Sequence, residues 1–148
     1  MLQKIVRSTI IDAPIERVWA VLRDFNSHDQ WHDVVEASRI EANESSAQVG
    51  CVRSFTLKDG NRIREQLLTL DDREHKSTYC IVEATVPLQR YVATVTLKPA
   101  GVAAEWLTSM CVPTDCSAGQ SRCGLMALRQ AHSSNPTMKP VAKTCGIS

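Results

Sequence analysis

Arg53 and Glu65 are opposite charges set in two runs that flank Lys58-Asp59-Gly60-Asn61, and both runs otherwise alternate apolar and polar residues. Across a hairpin the two would face each other as an opposite-charge cross-strand pair. On an apolar face such charges are costly unless paired or hydrated. A ligand pocket with a few polar groups among apolar walls accommodates them. An acid in a dry pocket has a shifted pKa suited to proton transfer, so Arg53 and Glu65 are the candidate catalytic groups. Two blander roles stay open: hydrogen bonding to a ligand oxygen, and a structural ion pair that fixes the hairpin register.

The run His28-Asp29-Gln30-Trp31-His32-Asp33 invites a metal reading, because His28 and His32 are spaced to share one helix face. No firm third ligand accompanies them, and the expectation is no metal, with Trp31 and His32 packing near a pocket entrance. Cys116 and Cys123 lack a C-x-x-C arrangement, and the chain has neither a Gly-rich phosphate loop nor a G-x-S-x-G elbow. The residues call for no cofactor.

Composition narrows the classes. The 148 residues carry 43% hydrophobic and 22% charged residues and a formal net charge of +1. This is ordinary globular composition, enough for one core. A near-neutral balance gives no electrostatic reason to expect nucleic acid. The apolar runs are too short for a membrane span, and the first residues lack the apolar core of a secretory signal, so the expected compartment is the cytoplasm. On that basis the six cysteines read as free thiols.

The elements that must position these residues follow from periodicity. Lys4 to Ile11 reads as a strand, and Asp12-Ala13-Pro14 as a helix start with Asp12 as cap. Ile15, Val18, Trp19, Leu22 and Phe25 recur at helical spacing and form a core face. A short helix or turn spans His28 to Asp33, and a strand Val34 to Ala42. Cys51 to Leu57 and Arg62 to Leu70 form the hairpin. A two-residue loop would mix core and surface groups. A three-residue loop with Gly60 left-handed pairs Leu57 with Asn61, Phe55 with Ile63, Arg53 with Glu65 and Cys51 with Leu67, gathering the apolar groups on one face; this register is preferred. Ser77 to Thr85 and Arg90 to Leu97 add two strands, with Pro99 as the stop. Early helices in an antiparallel sheet indicate an α+β class.

Several segments, in order, match a family pattern. Ile11-Asp12-Ala13-Pro14-Ile15-Glu16-Arg17-Val18-Trp19, then Asp24-Phe25 and Trp31-His32, then Gly50-Cys51-Val52-Arg53-Ser54-Phe55-Thr56-Leu57-Lys58-Asp59-Gly60 with Glu65 and Leu67, and then Tyr79, Pro87-Leu88 and Tyr91-Val92-Ala93-Thr94 resemble the START/Bet v 1-like superfamily in its bacterial polyketide cyclase/dehydrase-like branch. The resemblance covers residues 1 to about 99. It implies a helix-grip fold, in which a curved antiparallel sheet wraps a long C-terminal helix and an apolar ligand lies between them. The ligand-binding candidates under it are Trp31, His32, Arg53, Phe55, Glu65, Leu67, Tyr79 and Tyr91.

Residues 100–148 depart from the pattern. Pro113, Gly119, Gly124, Pro136, Pro140 and Gly146 interrupt them, four of the six cysteines fall there, and only Gln120 to Ala131 offers a short helix. The closing helix is therefore expected to be short, altered or missing, with this segment either a divergent tail or the product of an altered reading frame. Three functions follow as expectations. The first is binding of a small hydrophobic molecule, lipid-, sterol- or polyketide-like. The second is a polyketide cyclase/dehydrase-type enzyme using Arg53, Glu65 and Tyr79. The third is an interaction module, such as a homodimer, built on an open sheet.

Overall fold

Alternation of apolar and polar residues over most of the chain produces a sheet, and the departures from alternation produce its helices and turns. The computed structural model describes residues 2–86, 88, 90–113 and 140–141. In chain order the elements are β1 (Leu2–Ile11), α1 (Ile15–Leu22), α2 (His28–Trp31), β2 (Val35–Ile40), a 3-10 turn (Glu41–Asn43), β3 (Val52–Leu57), β4 (Arg62–Asp71), β5 (Lys76–Ala84), β6 (Val92–Ala100), β7 (Ala103–Pro113) and β8 (Pro140–Val141). The strands form one antiparallel sheet in the order β2-β3-β4-β5-β6-β7-β1-β8. An antiparallel sheet carrying short helices near the N-terminus is an α+β arrangement.

The β3–β4 hairpin takes the three-residue-loop register. Arg53 lies opposite Glu65 and Phe55 opposite Ile63. The Leu57 N–H donates to the Asn61 carbonyl at 2.8 Å and the Gly60 N–H to the Leu57 carbonyl at 2.9 Å. Gly60 closes the loop at φ +87°, a left-handed conformation that a Cβ disfavours.

Helix α1 is shorter than its apolar spacing predicts, and its start differs. Pro14 occupies the cap position and makes no side-chain cap hydrogen bond, so Asp12 is not the cap; instead the Pro14 carbonyl accepts from the Arg17 and Val18 N–H groups. The helix stops at Leu22 because Asp24 competes for the backbone: its Oδ1 accepts from the Asn26 N–H at 3.0 Å, and its carbonyl from the Ser27 N–H. Phe25 leaves the helical line and is buried separately, with Cys51 and Leu67. Val18 and Trp19 pack on Val95, Leu97, Ala104 and Trp106, defining the inner face of the sheet. The Trp19 indole N–H reaches Asp72 Oδ1 at 2.8 Å and Arg23 holds the same carboxylate, fastening α1 to the β4–β5 turn. These two groups hold the Asp72 carboxyl down at about 2, the Arg23 hydrogen bond first.

The sheet runs past the point where sequence periodicity stops. Pro99 does not end β6; it pairs with Ala104 one residue before the strand closes. Its missing N–H is tolerated there because β5 reaches only to Thr96 along the other side of β6. Strand β7 follows, inside the segment read as a divergent tail, so a boundary at residue 99 would cut the β6–β7 hairpin. It pairs with β1 from Leu2–Pro113 to Ile11–Ala104, and Ala104, Trp106, Thr108 and Met110 point inward and are buried. The short helix expected over Gln120 to Ala131, the closing C-terminal helix, and Cys116, Cys123 and Cys145 lie outside the described residues. Among the described residues Cys51, Cys80 and Cys111 are free thiols.

Replacing Gly60 by Ala should cost about 1 kcal/mol of stability through its left-handed φ, read as a lower urea midpoint at unchanged slope. An unshifted midpoint would show that the loop does not require glycine.

Candidate functional site

The hairpin register places Arg53 and Glu65 on the inner face, each 5% exposed. Arg53 Nε donates to Glu65 Oε2 at 2.9 Å and Nη2 donates to the same oxygen at 2.5 Å. Its Nη1 donates to the Phe25 carbonyl at 2.8 Å, so the turn after α1 reaches across to the hairpin. The guanidinium lies 4.0 Å from the Phe25 ring centroid, 5.1 Å from Tyr79 and 5.5 Å from Phe55. Three aromatic faces around one cation repay part of its desolvation. Burial pushes the Glu65 carboxyl up, while the charge and hydrogen bonds of Arg53 pull it down; the net direction is upward.

The remaining sequence candidates converge on the same face. Leu67 is fully buried beside Phe25 and Cys51, with Tyr79 packed on that group. Tyr79 also joins Tyr91, Ala93 and Met110. Burial, reinforced by the Glu65 charge, pushes the Tyr79 phenol up to about 12. Burial first, then Tyr79, drives the Tyr91 phenol well up.

Helix α2 covers the other end of this face. His28 and His32 do share one side of the turn, with ring centroids 4.8 Å apart and edge to face. His28 sits 4.8 Å from Phe55 and 5.0 Å from Trp31, and Trp31 lies 5.4 Å from Trp106. Both histidines are buried, and the Nδ1 atom of each has no hydrogen-bond partner. Burial, and then the positive charge of Arg53, drives the His28 pKa well down and that of His32 to about 4. Asp29 turns away and accepts from the Ser38 N–H at 3.2 Å. Among the described residues no three His, Cys, Asp or Glu side chains converge as metal ligands.

Two members of this constellation are absent from the sequence-derived set. Trp106 lies beyond the glycine turn at Gly101, yet the alternation Ala104, Trp106, Thr108, Met110 is a period-2 signal present in the sequence. Phe25 reads from sequence as a core residue. That its carbonyl anchors Arg53 depends on the turn leaving α1, which no periodicity reports.

A groove of about 550 Å³ opens on the opposite face, with Arg39, Glu41, Arg62, Arg64 and Glu83 among its lining. Arg64 already pairs with Glu41 at 2.7 Å and with Glu83 at 2.9 Å. It therefore forms a solvated ion network, apart from the Arg53–Glu65 pair.

Known proteins share the sequence family and the fold. Residues 3–112 match the family model described as polyketide cyclase / dehydrase and lipid transport. The chain belongs to this family. The match extends past residue 99 and takes in β7 up to its last residue but one. Solved structures share the fold of this polyketide cyclase/dehydrase and lipid transport family member at low identity. An uncharacterised protein from Bacillus thuringiensis is 23% identical with a TM-score of 0.74, covering 87% of this chain and 96% of its own. The protein XoxI from Bacillus cereus is 24% identical with a TM-score of 0.73, covering 86% and 92%. A protein from Nitrosospira multiformis is 19% identical with a TM-score of 0.74, covering 87% and 93%. No helix among the described residues is long and apolar enough to cross a membrane.

The lowered histidine pKa values set a pH dependence. Below the ordinary value of 6.5 the unfolded chain takes up protons that His32 in the native state refuses until about 4. The stability His32 contributes is therefore complete above pH 6.5 and is lost as pH falls toward 4. Glu65 acts with the opposite sign, because its raised carboxyl takes a proton more readily in the native state. Urea midpoints of the wild type and His32→Gln compared across this window isolate the histidine: the wild type should lose ground on the variant as pH falls. A pH-independent difference would show that His32 is not held neutral.

Proposed function

We propose that this chain binds a small apolar molecule, lipid-, sterol- or polyketide-like, against the inner sheet face, with the Arg53–Glu65 pair as its polar anchor and Trp31, His32, Phe55, Leu67, Tyr79 and Tyr91 as walls. The observation that carries this reading is the burial of the ion pair within an aromatic surround. Fixing the hairpin register does not require it. Phe55 opposite Ile63, and the left-handed Gly60, already specify that register. Two buried charges are also no better for stability than apolar residues of the same volume. A pair that is dispensable for the register and costly to bury is accounted for by a ligand that uses it. Family membership supports the same class of function, since the family description covers both cyclase/dehydrase chemistry and lipid transport.

A second reading, catalysis of the cyclase/dehydrase type, is favoured by one feature. The raised Glu65 carboxyl and the Tyr79 phenol both lie against Arg53, a proton-transferring group beside a cation able to polarise a carbonyl. The two readings separate in one measurement: native mass spectrometry of protein purified from its source identifies the bound molecule, and incubation with that molecule shows whether it is returned unchanged.

The neutral probe N-phenyl-1-naphthylamine should bind with a single saturable fluorescence increase. Glu65→Gln should weaken that binding by about tenfold, as expected for a buried polar partner lost, and by more than it lowers the urea midpoint in free-energy terms. Unchanged probe affinity with lost stability would assign the pair a structural role.

A further inference from the structure

Helix α2 spans only four residues, His28–Trp31, and Ser27 at its cap position makes no side-chain cap hydrogen bond. A helix this short has no stability of its own and depends on what it packs against. Three rings do that packing. His28 lies 4.8 Å from Phe55, Trp31 lies 5.4 Å from Trp106, and His32 meets His28 edge to face at 4.8 Å. The side-chain tie to the sheet is Asp29, which accepts from the Ser38 N–H at 3.2 Å. Helix α1, by contrast, is fastened through Asp72 to both Trp19 and Arg23. Two of the three rings that hold α2 down are thus imidazoles.

An imidazole packs as an apolar ring only while it is uncharged. His28 and His32 are 9% and 4% exposed, and among the described residues the Nδ1 atom of each has no hydrogen-bond partner. No acceptor waits on that nitrogen to share the charge of an added proton. The charged groups nearby give little relief. Arg53 of β3 opposes protonation of both rings, and His32 opposes it on His28. Glu65 of β4 is engaged by Arg53 Nε and Nη2, and β7 presents Trp106 and Thr108. Glu36 of β2 is exposed, Asp24 is held by the Asn26 N–H, and Asp29 by Ser38. Asp33 favours a proton on His32, but less than Arg53 opposes it.

We infer that α2 is an acid-released cover of the inner sheet face: protonation of His28 and His32 lifts it off Phe55 and Trp106 while the sheet stays folded. This is a property of the chain itself and holds whether or not the face takes a ligand. Once lifted, the rings are hydrated and titrate near the ordinary 6.5, whereas the closed state refuses a proton on His32 until about 4. The closed state is therefore favoured in full above pH 6.5 and loses ground as pH falls. Glu65, whose carboxyl burial pushes up, gives up its proton more readily on hydration and works against opening.

Amide hydrogen exchange on the full chain, read as protection factors between pH 6.5 and 5, tests it. The Gln30, His32 and Val35 N–H groups donate to the Ser27, His28 and His32 carbonyls and report α2. The Leu67 and Ile81 N–H groups donate to the Cys51 and Tyr91 carbonyls and report the sheet. Each proton taken up on opening lowers protection about tenfold per pH unit. The α2 amides should therefore lose between about tenfold and about a hundredfold per unit, while the sheet amides keep their protection. The loss should shrink to about tenfold per unit or less in each single variant, His28→Gln or His32→Gln, and vanish in the double variant. Constant α2 protection in the wild type overturns the inference. Parallel loss in α2 and the sheet overturns it too, because that is acid unfolding of the whole chain. A loss that neither single variant reduces, or that persists in a folded double variant, places the protons elsewhere and overturns it as well.

Discussion

The register of the β3–β4 hairpin is the constraint on which the inner face depends. Because side chains alternate across a strand, a slip of one residue would exchange Arg53, Phe55, Ile63 and Glu65 for Ser54, Thr56, Arg62 and Arg64. Gly60 at φ +87° excludes that slip by closing a loop of fixed length. Everything downstream inherits its parity. Arg53 meets Glu65, the guanidinium finds the Phe25 carbonyl, and the ring of Phe55 meets His28. On the other side of the sheet, Arg64 joins Glu41 and Glu83 in solvent. One turn therefore divides the arginines of the hairpin between a buried aromatic setting and an exposed ion network.

Arg53 then organises the electrostatics of the inner face. Its charge opposes protonation of both His28 and His32, adding to the effect of burial. It also works against the burial that raises Glu65 and Tyr79. Burial, seconded by this cation, leaves two neutral imidazoles at one end of the face, and the cation partly restores the charge of a carboxyl in the middle. The family to which the chain belongs embraces both transport and cyclisation, and this combination of neutral hydrogen-bonding groups with one responsive acid is compatible with either.

The hairpin and its ion pair were legible in the sequence because apolar alternation, a glycine and opposite charges all select one register. The facing of the tyrosines was not. Strand β4 meets β5 through two irregularities, between Arg64 and Glu65 and between Leu67 and Thr69, and a bulge resets the parity that alternation would otherwise carry across. Tyr79 therefore cannot be assigned a face by counting from Leu67. Strand β7 was obscured differently: Pro99, Ala100 and Gly101 look like an ending, and the small side chains of Ala103 and Ala104 give a weak start to its alternation. The bonds of Phe25 and the unpaired histidine nitrogens belong to tertiary geometry, which spacing does not encode.

The placement of β1 has a consequence for the order of folding. Its principal partner is β7, with Leu2 opposite Pro113 and Ile11 opposite Ala104, so the first described strand waits for nearly the last described one before the two can pair. Strands β2 to β7 form a meander of sequential neighbours and can zip locally, whereas β1 must close a loop that encloses all of them. Contacts of such sequence separation slow the search for the native state and leave strand edges exposed meanwhile. Until β7 exists, the edge of β1 that it covers is unprotected, and over that interval a nascent chain of this protein is open to wrong pairing.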